Sequence, residues 1–280
     1  MSALLERRAE AQPKLSLEYL DGVPGYVGAY ARTMANEPPV VAYRDGDPFP
    51  AASTIKVLIM ATAFRALDAG EISRGTLVPI NASDLVGGSE RFGSAPPGSK
   101  YRLMALMEAM IEVSDNTAAN ALISHFGFAA INATCAPAGM TATHLRRHLL
   151  DWEAIVKHNE NVSTPRDMGT LLYEIERGAR EGLDTIAKAT SCREMIRLML
   201  KDQDRDKIPA GLPPGTQVAN KDGEITGVRN DVAIVEPFGD TPYVLVVMTK
   251  ELRDYAAGIA AIRRVAHDVN HTITTQAAYS

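Results

Sequence analysis

A serine and a lysine three residues apart, Ser53 and Lys56, open an almost wholly apolar segment that runs to Gly70. Residues three apart on a helix lie on one face, so the Ser53 hydroxyl and the Lys56 amine can meet. A serine in the first turn also lies at the positive end of the helix dipole, where its hydroxyl could act as a nucleophile. Burial among apolar residues lowers the pKa of a lysine, which makes Lys56 a candidate base. The plainer alternative is an N-cap serine beside a lysine that extends to the surface.

A second polar group, Ser114-Asp115-Asn116, lies between two helical segments. The first segment is predicted to end near Val113 and the second to end at Gly127. Apolar residues follow the helical period in the first segment at Leu103, Leu106, Met107, Met110 and Ile111. Serine, aspartate and asparagine are all favoured N-caps, so this tripeptide alone is equally compatible with an ordinary helix start.

Between Gly139 and Pro165 the helical period is weak, and histidines and charged residues are crowded together. The pattern predicts a long loop with one short helical piece, and long loops in compact domains are often functional. Thr164 is then expected to cap a helix that continues through Ile175, and residues 186–200 are expected to form another. We interpret both of these helices as scaffold.

Strand character is concentrated at the two ends of the chain. It appears at residues 25–32, 39–43, 216–221, 231–235 and 242–248, with a first helix predicted near 2–11 and a closing helix near 253–268. Strands at both ends with helices between them indicate that the ends share one antiparallel sheet. We therefore expect an α+β protein. Residues 1–47 and 201–280 would form the sheet domain, residues 48–200 a helical domain, and the active site would lie at their interface.

The composition excludes some classes of partner. The net charge is −5 and no basic run of five residues occurs, so neither nucleic acid nor an anionic membrane is an expected partner, and a small-molecule or peptide substrate is favoured. Cys135 and Cys192 have no histidine or cysteine neighbours at ligand spacing, so we expect buried thiols and no metal or cofactor. No signal-peptide pattern appears in the first ten residues, which favours a cytoplasmic location. A periplasmic or secreted chain whose leader had been removed would look the same.

Three short motifs occur in a fixed order along the chain: Ser53-x-x-Lys56, Ser114-Asp115-Asn116 and Lys221-x-Gly223. This order resembles the penicillin-recognising serine enzymes, in particular the class A β-lactamases, whose signature consists of three such motifs. The similarity covers nearly the whole chain from about Gly25. It implies a β-lactamase/transpeptidase-like fold, with a five-stranded antiparallel sheet flanked by helices and an all-helical domain.

The resemblance also implies an acyl-enzyme mechanism and assigns roles to particular residues. Ser53 would attack an amide or ester carbonyl after losing its proton to neutral Lys56 or through a water. Ser114 would shuttle a proton to the leaving group, with its pKa lowered by Lys221. The backbone N–H groups of Ser53 and Glu224 would form the oxyanion hole. Substrate-binding residues would be Asn116, Asp222, Gly223 and Arg229.

The deacylation base is harder to assign, although Trp152-Glu153 resembles the pair whose glutamate activates the deacylating water in class A enzymes. The family typically has an asparagine four residues after that glutamate, and this chain has Lys157 there. We therefore expect slow deacylation, with Glu153 as the first candidate base and Asp151 as the second. The alternative is a solvated Glu153 in a surface ion pair with a nearby arginine or Lys157.

Asp222 stands where the family has the threonine or serine of its Lys-Thr-Gly motif, a hydroxyl that helps to bind the β-lactam carboxylate. An anion at this position should repel an anionic substrate unless it is protonated or paired, and Lys221 and Arg229 are the expected partners. Neutral esters or cationic amides are therefore the favoured substrates. Two other functions remain open: a D,D-peptidase or transacylase of the same fold, and a non-catalytic module that binds a ligand without turnover.

Overall fold

The computed structural model describes residues 15–35 and 38–278, so the first helix predicted near residues 2–11 lies outside the described residues. The strands, in chain order, are β1 (Tyr26–Thr33), β2 (Val41–Tyr43), β3 (Phe49–Pro50), β4 (Leu77–Pro79), β5 (Lys100–Arg102), β6 (Val162–Ser163), β7 (Val218–Ile225), β8 (Val228–Val235) and β9 (Tyr243–Lys250). The helices are α1 (Lys56–Asp68), α2 (Leu103–Glu112), α3 (Asn116–Ala133), α4 (Trp152–Val156), α5 (Pro165–Glu181), α6 (Ala189–Met199) and α7 (Tyr255–Ala278).

Five strands from the two ends of the chain form one antiparallel sheet in the order β2-β1-β9-β8-β7. The predicted five-stranded antiparallel sheet is therefore confirmed. The central strand β9 is almost wholly apolar because both of its faces are covered. Val244 and Val246 point into the core shared with the helices of the middle segment, and Leu245 and Val247 pack on the face covered by α7.

Helix α1 is buried on nearly all sides, as its apolar sequence indicates. Helix α2 begins and ends close to the predicted positions, and α3 begins close to its predicted start. Gly127, the predicted end of α3, interrupts the helix with a φ of 79°, but the helix resumes and continues to Ala133. Thr164 caps α5 by accepting a hydrogen bond from the Asp167 nitrogen at 3.0 Å. The closing helix α7 continues ten residues beyond its predicted end at Asp268, because Val269 and Ile273 keep packing on the sheet.

Two short contacts bring the long loop between residues 139 and 165 over the start of α1. Strand β3 pairs with β6, so that Phe49 lies opposite Ser163. The Ala51 nitrogen then donates to the Asn161 carbonyl oxygen at 2.8 Å. These bonds hold the loop beside Ser53, where the loop forms one wall of a cleft.

Both cysteines are buried and unpaired, as expected. Among the described residues, none of the helices combines the length and the apolar character needed to span a membrane.

Candidate active site

Ser53 lies in a tight 3₁₀ turn, Ala52–Ile55, that leads directly into α1. The residue before it, Ala52, has a φ of 47°, in the left-handed region that favours glycine. Strain of this kind persists where the surrounding structure enforces it, and it is common at sites that must present one side chain. The turn places Ser53 ahead of the first turn of α1, at the cleft, while its neighbours Thr54 and Ile55 are buried.

The amine of Lys56 is fully buried and contacts both serines of the first two motifs. Its Nζ lies 3.0 Å from Ser53 Oγ and 3.0 Å from Ser114 Oγ. It also donates to the Ser114 carbonyl at 2.6 Å and to Asn116 Oδ1 at 2.8 Å. Burial lowers the pKa of Lys56 well below its usual value, and the charge of Lys221 acts in the same direction. The site therefore favours the neutral form of the Lys56 amine more than water does.

In its neutral form the Lys56 amine has two N–H groups and one lone pair, and these must be divided among its four contacts. The Ser114 carbonyl and Asn116 Oδ1 are oxygens that can only accept, so they take the two N–H groups. The lone pair is then left for the hydroxyls of Ser53 and Ser114. This arrangement lets Lys56 accept a proton from either hydroxyl, which is what a base between a nucleophile and a proton shuttle must do.

The middle residue of the second motif, Asp115, is the N-cap of α3. Its carboxylate accepts hydrogen bonds from the backbone nitrogens of Ala118 at 2.8 Å and of Arg91 and Phe92 at 2.9 Å each. The capping role that the sequence left open therefore belongs to Asp115 alone. Ser114 is freed from that role, and its φ of 55° turns its hydroxyl and its carbonyl towards Lys56.

Asn116, the third residue of the motif, is held from both sides. Its Oδ1 accepts from Lys56, and its Nδ2 donates to the carbonyl oxygens of Gly87 at 3.2 Å and Gly88 at 3.1 Å. A Cβ on Gly88 would lie 2.7 Å from that Nδ2, and Gly88 has a φ of 60°, so this position requires glycine. Asn116 borders the cleft beside Ser53. Its contact with a substrate amide stays a prediction.

Gly223 lets β7 pass against the turn that carries Ser53. A Cβ at this position would lie 3.1 Å from the backbone nitrogens of Ser53 and Thr54, closer than side chains ordinarily approach. Ser53 and Glu224, the two residues whose N–H groups were predicted to form the oxyanion hole, line the same cavity on either side of this approach. Gly223 therefore acts through close backbone packing.

Lys221 is fully buried and belongs to a group of carboxylates. Its ammonium forms ion pairs with Asp222 and, at 3.5 Å, with Asp202. Burial alone would lower the pKa of Lys221, but the charges of Asp222 and Asp202 outweigh it and leave the pKa above its usual value. Among the hydrogen bonds of the described residues, those of the Lys221 ammonium go to these carboxylates and none goes to Ser114. Any effect of Lys221 on Ser114 therefore acts through space and not through a hydrogen bond among the described residues.

The partners of Asp222 differ from those expected. Asp222 pairs with Lys221 as predicted, but its second cation is Lys207, at 4.0 Å, and not Arg229. Burial would raise the pKa of Asp222, and the neighbouring lysines more than offset this and hold the pKa below its usual value. Arg229 instead pairs with Glu224 at 3.4 Å and stacks 4.0 Å from the Tyr255 ring. The prediction that Arg229 neutralises Asp222 is wrong because Glu224 lies directly opposite Arg229 in the β7–β8 ladder.

The candidate deacylation bases do not point into the cleft. The Glu153 side chain is 81% exposed and pairs with Lys157 at 2.6 Å, which is the surface alternative that the sequence left open. Asp151, the second candidate, caps α4 by accepting from the Ala154 nitrogen at 3.0 Å. Residues three apart share a helix face, so Trp152 and Ile155 face the cavity and the intervening Glu153 turns to solvent. The structure therefore does not support either residue as a base at Ser53.

The cleft encloses a cavity of about 590 Å³ between the 139–165 loop and the β7–β8 turn. Sequence reasoning missed several residues of its wall: Arg147, Leu149, Leu150, Ile155, Glu160 and Lys250. Glu160 forms an ion pair with the buried Arg147. The crowding of charges in this loop was the available signal for that pair. Asp202 and Lys207 behind β7 had no comparable signal, because they come from an irregular turn after α6.

A sequence profile of the beta-lactamase enzyme family matches residues 14–273. The fold is similar to that of PBP-A, a point mutant of which was solved as an acyl-enzyme complex with penicillin G. That structure has a TM-score of 0.82 and 26% identity, and the match covers 94% of this chain and 99% of that one.

Two β-lactamases are similar in the same way. The β-lactamase of Sphaerobacter thermophilus DSM 20745 has a TM-score of 0.80 and 29% identity, with 92% of this chain and 95% of that chain covered. An ancestral class A β-lactamase has a TM-score of 0.79 and 27% identity, with 91% and 96% covered.

Proposed function

This chain belongs to the beta-lactamase enzyme family, and from that premise we propose that it is a serine hydrolase that forms an acyl-enzyme on Ser53 and cleaves an amide or ester bond. One observation carries the proposal: the buried Lys56 amine contacts both the Ser53 and the Ser114 hydroxyls, with its lone pair free for one of them. A buried lysine that served only to satisfy hydrogen bonds would not need to contact two hydroxyls, one of which, that of Ser53, borders a cavity.

Acylation follows from this geometry. Ser53 Oγ attacks the substrate carbonyl carbon while its proton passes to the Lys56 amine. The negative oxygen of the tetrahedral intermediate is stabilised by the backbone N–H groups of Ser53 and Glu224. When the bond to the leaving group breaks, that group takes a proton from Ser114 Oγ, and Lys56 returns its proton to Ser114. The acyl group is then bonded to Ser53 and the proton balance is restored.

Deacylation is proposed to be slower than acylation. A positioned general base accelerates such a step by about 10²–10⁴-fold. The cavity wall contains three carboxylates, Glu160, Glu224 and Glu251. Glu160 is paired with Arg147, Glu224 is paired with Lys207 at 2.8 Å, and Glu251 is exposed at the end of β9. Because Glu160 and Glu224 are committed to cations, we expect the acyl-enzyme to accumulate.

Penicillins are one candidate class of acyl donor, because the similar PBP-A mutant was solved with penicillin G as an acyl-enzyme. The second candidate function is peptide cleavage or acyl transfer of the D,D-peptidase type. Slow hydrolysis favours this second candidate, because an acyl-enzyme that water attacks slowly persists until an amine acceptor arrives. In both cases the partner is a small molecule or a peptide.

The test is intact-protein mass spectrometry during exposure to penicillin G, a cephalosporin, a D-Ala-D-Ala peptide and p-nitrophenyl esters. The parent protein should gain the mass of one acyl group from at least one of these donors, and Ser53→Ala should gain none. Ser73→Ala, which changes an exposed serine outside the cavity wall, is the matched control and should behave as the parent. Acylation of Ser53→Ala to the same extent as the parent would refute the proposal. Binding of these donors without acylation would indicate a non-catalytic module.

A further inference from the structure

Arg147, Glu160 and Glu224 in the cavity wall are held in ion pairs, and one side of the wall is largely apolar. Resting on the proposed acyl-enzyme function, we propose that the acyl donor is uncharged and carries an apolar acyl group, which packs against the wall formed by Leu149, Leu150, Trp152 and Ile155. Donors that carry a carboxylate are then poor substrates.

An ion-pair network around β7 engages the charged residues on this side of the cleft. Lys221 pairs with Asp202 and Asp222, and Lys207 links Asp222 to Asp204 and Glu224. Glu224 in turn reaches Arg229. The connected network contains three cations and four carboxylates and carries a net charge of −1. An incoming carboxylate would have to displace one of these carboxylates or lie next to it, and either is unfavourable in a cleft partly shielded from water.

Lys207 also accounts for an apparent metal-binding arrangement in this network. Carboxylate oxygens of Asp204, Asp222 and Glu224 lie within 4.8 Å of one another. The Lys207 ammonium pairs with all three, at 2.8 Å from Glu224 and 4.0 Å from Asp222. The cation among these oxygens is a lysine of the chain itself, and because Lys207 is engaged by three carboxylates it is unavailable as a counter-charge for a substrate carboxylate.

The other cations of the cleft, within the described residues, are also engaged. Arg147 is buried and paired with Glu160. Lys250 donates to the Pro48 carbonyl at 2.9 Å and lies over the rings of Tyr26 and Phe49 at 4.7 and 5.0 Å. Lys56 is fully buried and donates to the Ser114 carbonyl and to Asn116 Oδ1, so its amine is already engaged beneath the cleft. Within the described residues, Lys250 is therefore the one cation of the cavity wall without a carboxylate partner, and its ammonium is already held by a carbonyl oxygen and two ring faces.

A separate line of evidence is the apolar character of the opposite wall. Leu149, Leu150, Trp152 and Ile155 line the cavity from the loop side, and Ile225 and Val228 line it from the β7–β8 turn. Trp152 is 67% exposed at the mouth, so this apolar surface continues outwards from Ser53. Exposed aromatic and aliphatic side chains at the edge of a cavity favour an apolar ligand that covers them. A volume of about 590 Å³ has room for an acyl chain of several carbons.

The experiment compares kcat/KM for p-nitrophenyl acetate, butyrate and hexanoate, followed by nitrophenolate release, with Ser53→Ala rates subtracted. Each methylene buried against the wall should raise kcat/KM by about fourfold until the cavity is filled. Two carboxylated analogues of the hexanoate are tested beside it. Mono-p-nitrophenyl adipate places the charge on the acyl group, and 3-carboxy-4-nitrophenyl hexanoate places it on the leaving group. Both should react at least about tenfold more slowly than the neutral hexanoate, whichever way the donor binds.

The apolar wall is tested with a matched pair of variants on α4. Ile155→Ser changes a residue that lines the cavity, and it should flatten the increase in kcat/KM from acetate to hexanoate. Val156→Ser is the control because Val156 is 78% exposed and lies outside the cavity wall, so its chain-length profile should match that of the parent. Both residues lie on a short surface helix, so neither change should prevent folding.

Three results would overturn the inference. They are a flat chain-length profile in the parent, carboxylated donors that react as fast as the neutral hexanoate, and equal profiles for Ile155→Ser and Val156→Ser. If Ser53 is acylated under any of these conditions, the proposed acyl-enzyme function stands and only the substrate class is wrong. If no donor of either series acylates Ser53, both the function and the inference fail.

Discussion

The variant Glu153→Gln tests whether Glu153 is the deacylation base, as the sequence predicts, or a surface residue, as the structure indicates. In the structure the Glu153 carboxylate is 81% exposed and bonded to Lys157, one turn along α4. It faces away from the cavity that Trp152 and Ile155 line. We therefore expect Glu153→Gln to leave the lifetime of the acyl-enzyme unchanged within about twofold.

The structure also sets the size of the remaining effects. An exposed i,i+4 ion pair contributes at most about 0.5 kcal/mol to the free energy of unfolding. Losing it should lower the melting temperature by no more than about 1–2 °C in a domain of this size. If Glu153 activated the hydrolytic water, its replacement would slow deacylation by about 10²–10⁴-fold. The two accounts differ by at least tenfold in one measured rate.

The assay acylates the protein with a p-nitrophenyl ester, removes excess donor and follows the loss of the acyl mass by intact-protein mass spectrometry. Lys157→Gln is the matched control because it removes the same ion pair from the other side without touching the carboxylate. Both variants should deacylate at the parent rate. Accumulation of acyl-enzyme in Glu153→Gln but not in Lys157→Gln would refute the structural account and restore Glu153 as the base.

Three further predictions follow from the buried charges. Lys56→Met should reduce acylation by about 10²–10⁴-fold, measured as the nitrophenolate burst, and adding Ser53→Ala should make it little worse because the two residues act as a unit. Asp222→Asn should raise the rate for 3-carboxy-4-nitrophenyl hexanoate, relative to the rate for the neutral ester, by about fivefold, because it removes about 1 kcal/mol of like-charge repulsion. Thermal unfolding of the same variant shows whether the ion-pair network has been weakened. Burial raises the pKa of Glu176 to about 7, above its unfolded value near 4.3. Between these two pH values the folded state binds more protons than the unfolded state. The free energy of unfolding therefore falls by about 3 kcal/mol as pH rises through this window. Glu176→Gln should therefore give melting temperatures from pH 5 to pH 8 that decline less than those of the parent, and an unchanged decline would contradict this assignment.

The parts of the site that could be predicted from sequence are those fixed by local geometry. Ser53 and Lys56 are three residues apart at the start of a helix, so their contact follows from helical spacing. Ser114 joins them through the turn between two helices whose apolar periods were readable. The sheet was predictable because uninterrupted apolar strands such as β9 are typical of sheets covered on both faces.

The parts that could not be predicted depend on long-range packing or on the phase of a short element. Lys221 pairs with Asp202, which lies 19 residues earlier in the sequence, and no periodic sequence pattern predicts this contact. The direction of Glu153 depends on where α4 begins, and a shift of one residue would rotate its side chain by about 100° towards the cavity. Asp151 caps α4 and so fixes Trp152 as its first residue, which directs Glu153 to solvent.

The apolar wall links the proposed substrate class to the proposed slow turnover. Leu149 and Leu150 belong to the 139–165 loop and line the same cavity as Ser53. Glu160, a carboxylate of that loop in the cavity wall, is paired with Arg147. The same side chains that would favour an apolar acyl group would also exclude water from the ester formed on Ser53, because apolar groups offer water no hydrogen bonds. Acylation and deacylation would then depend on this wall in opposite directions: better packing speeds the first step and slows the second. A site of this kind releases its acyl group most readily to an acceptor that itself packs against the wall. An acceptor amine with an apolar side chain would therefore compete better with water than a small hydrophilic one.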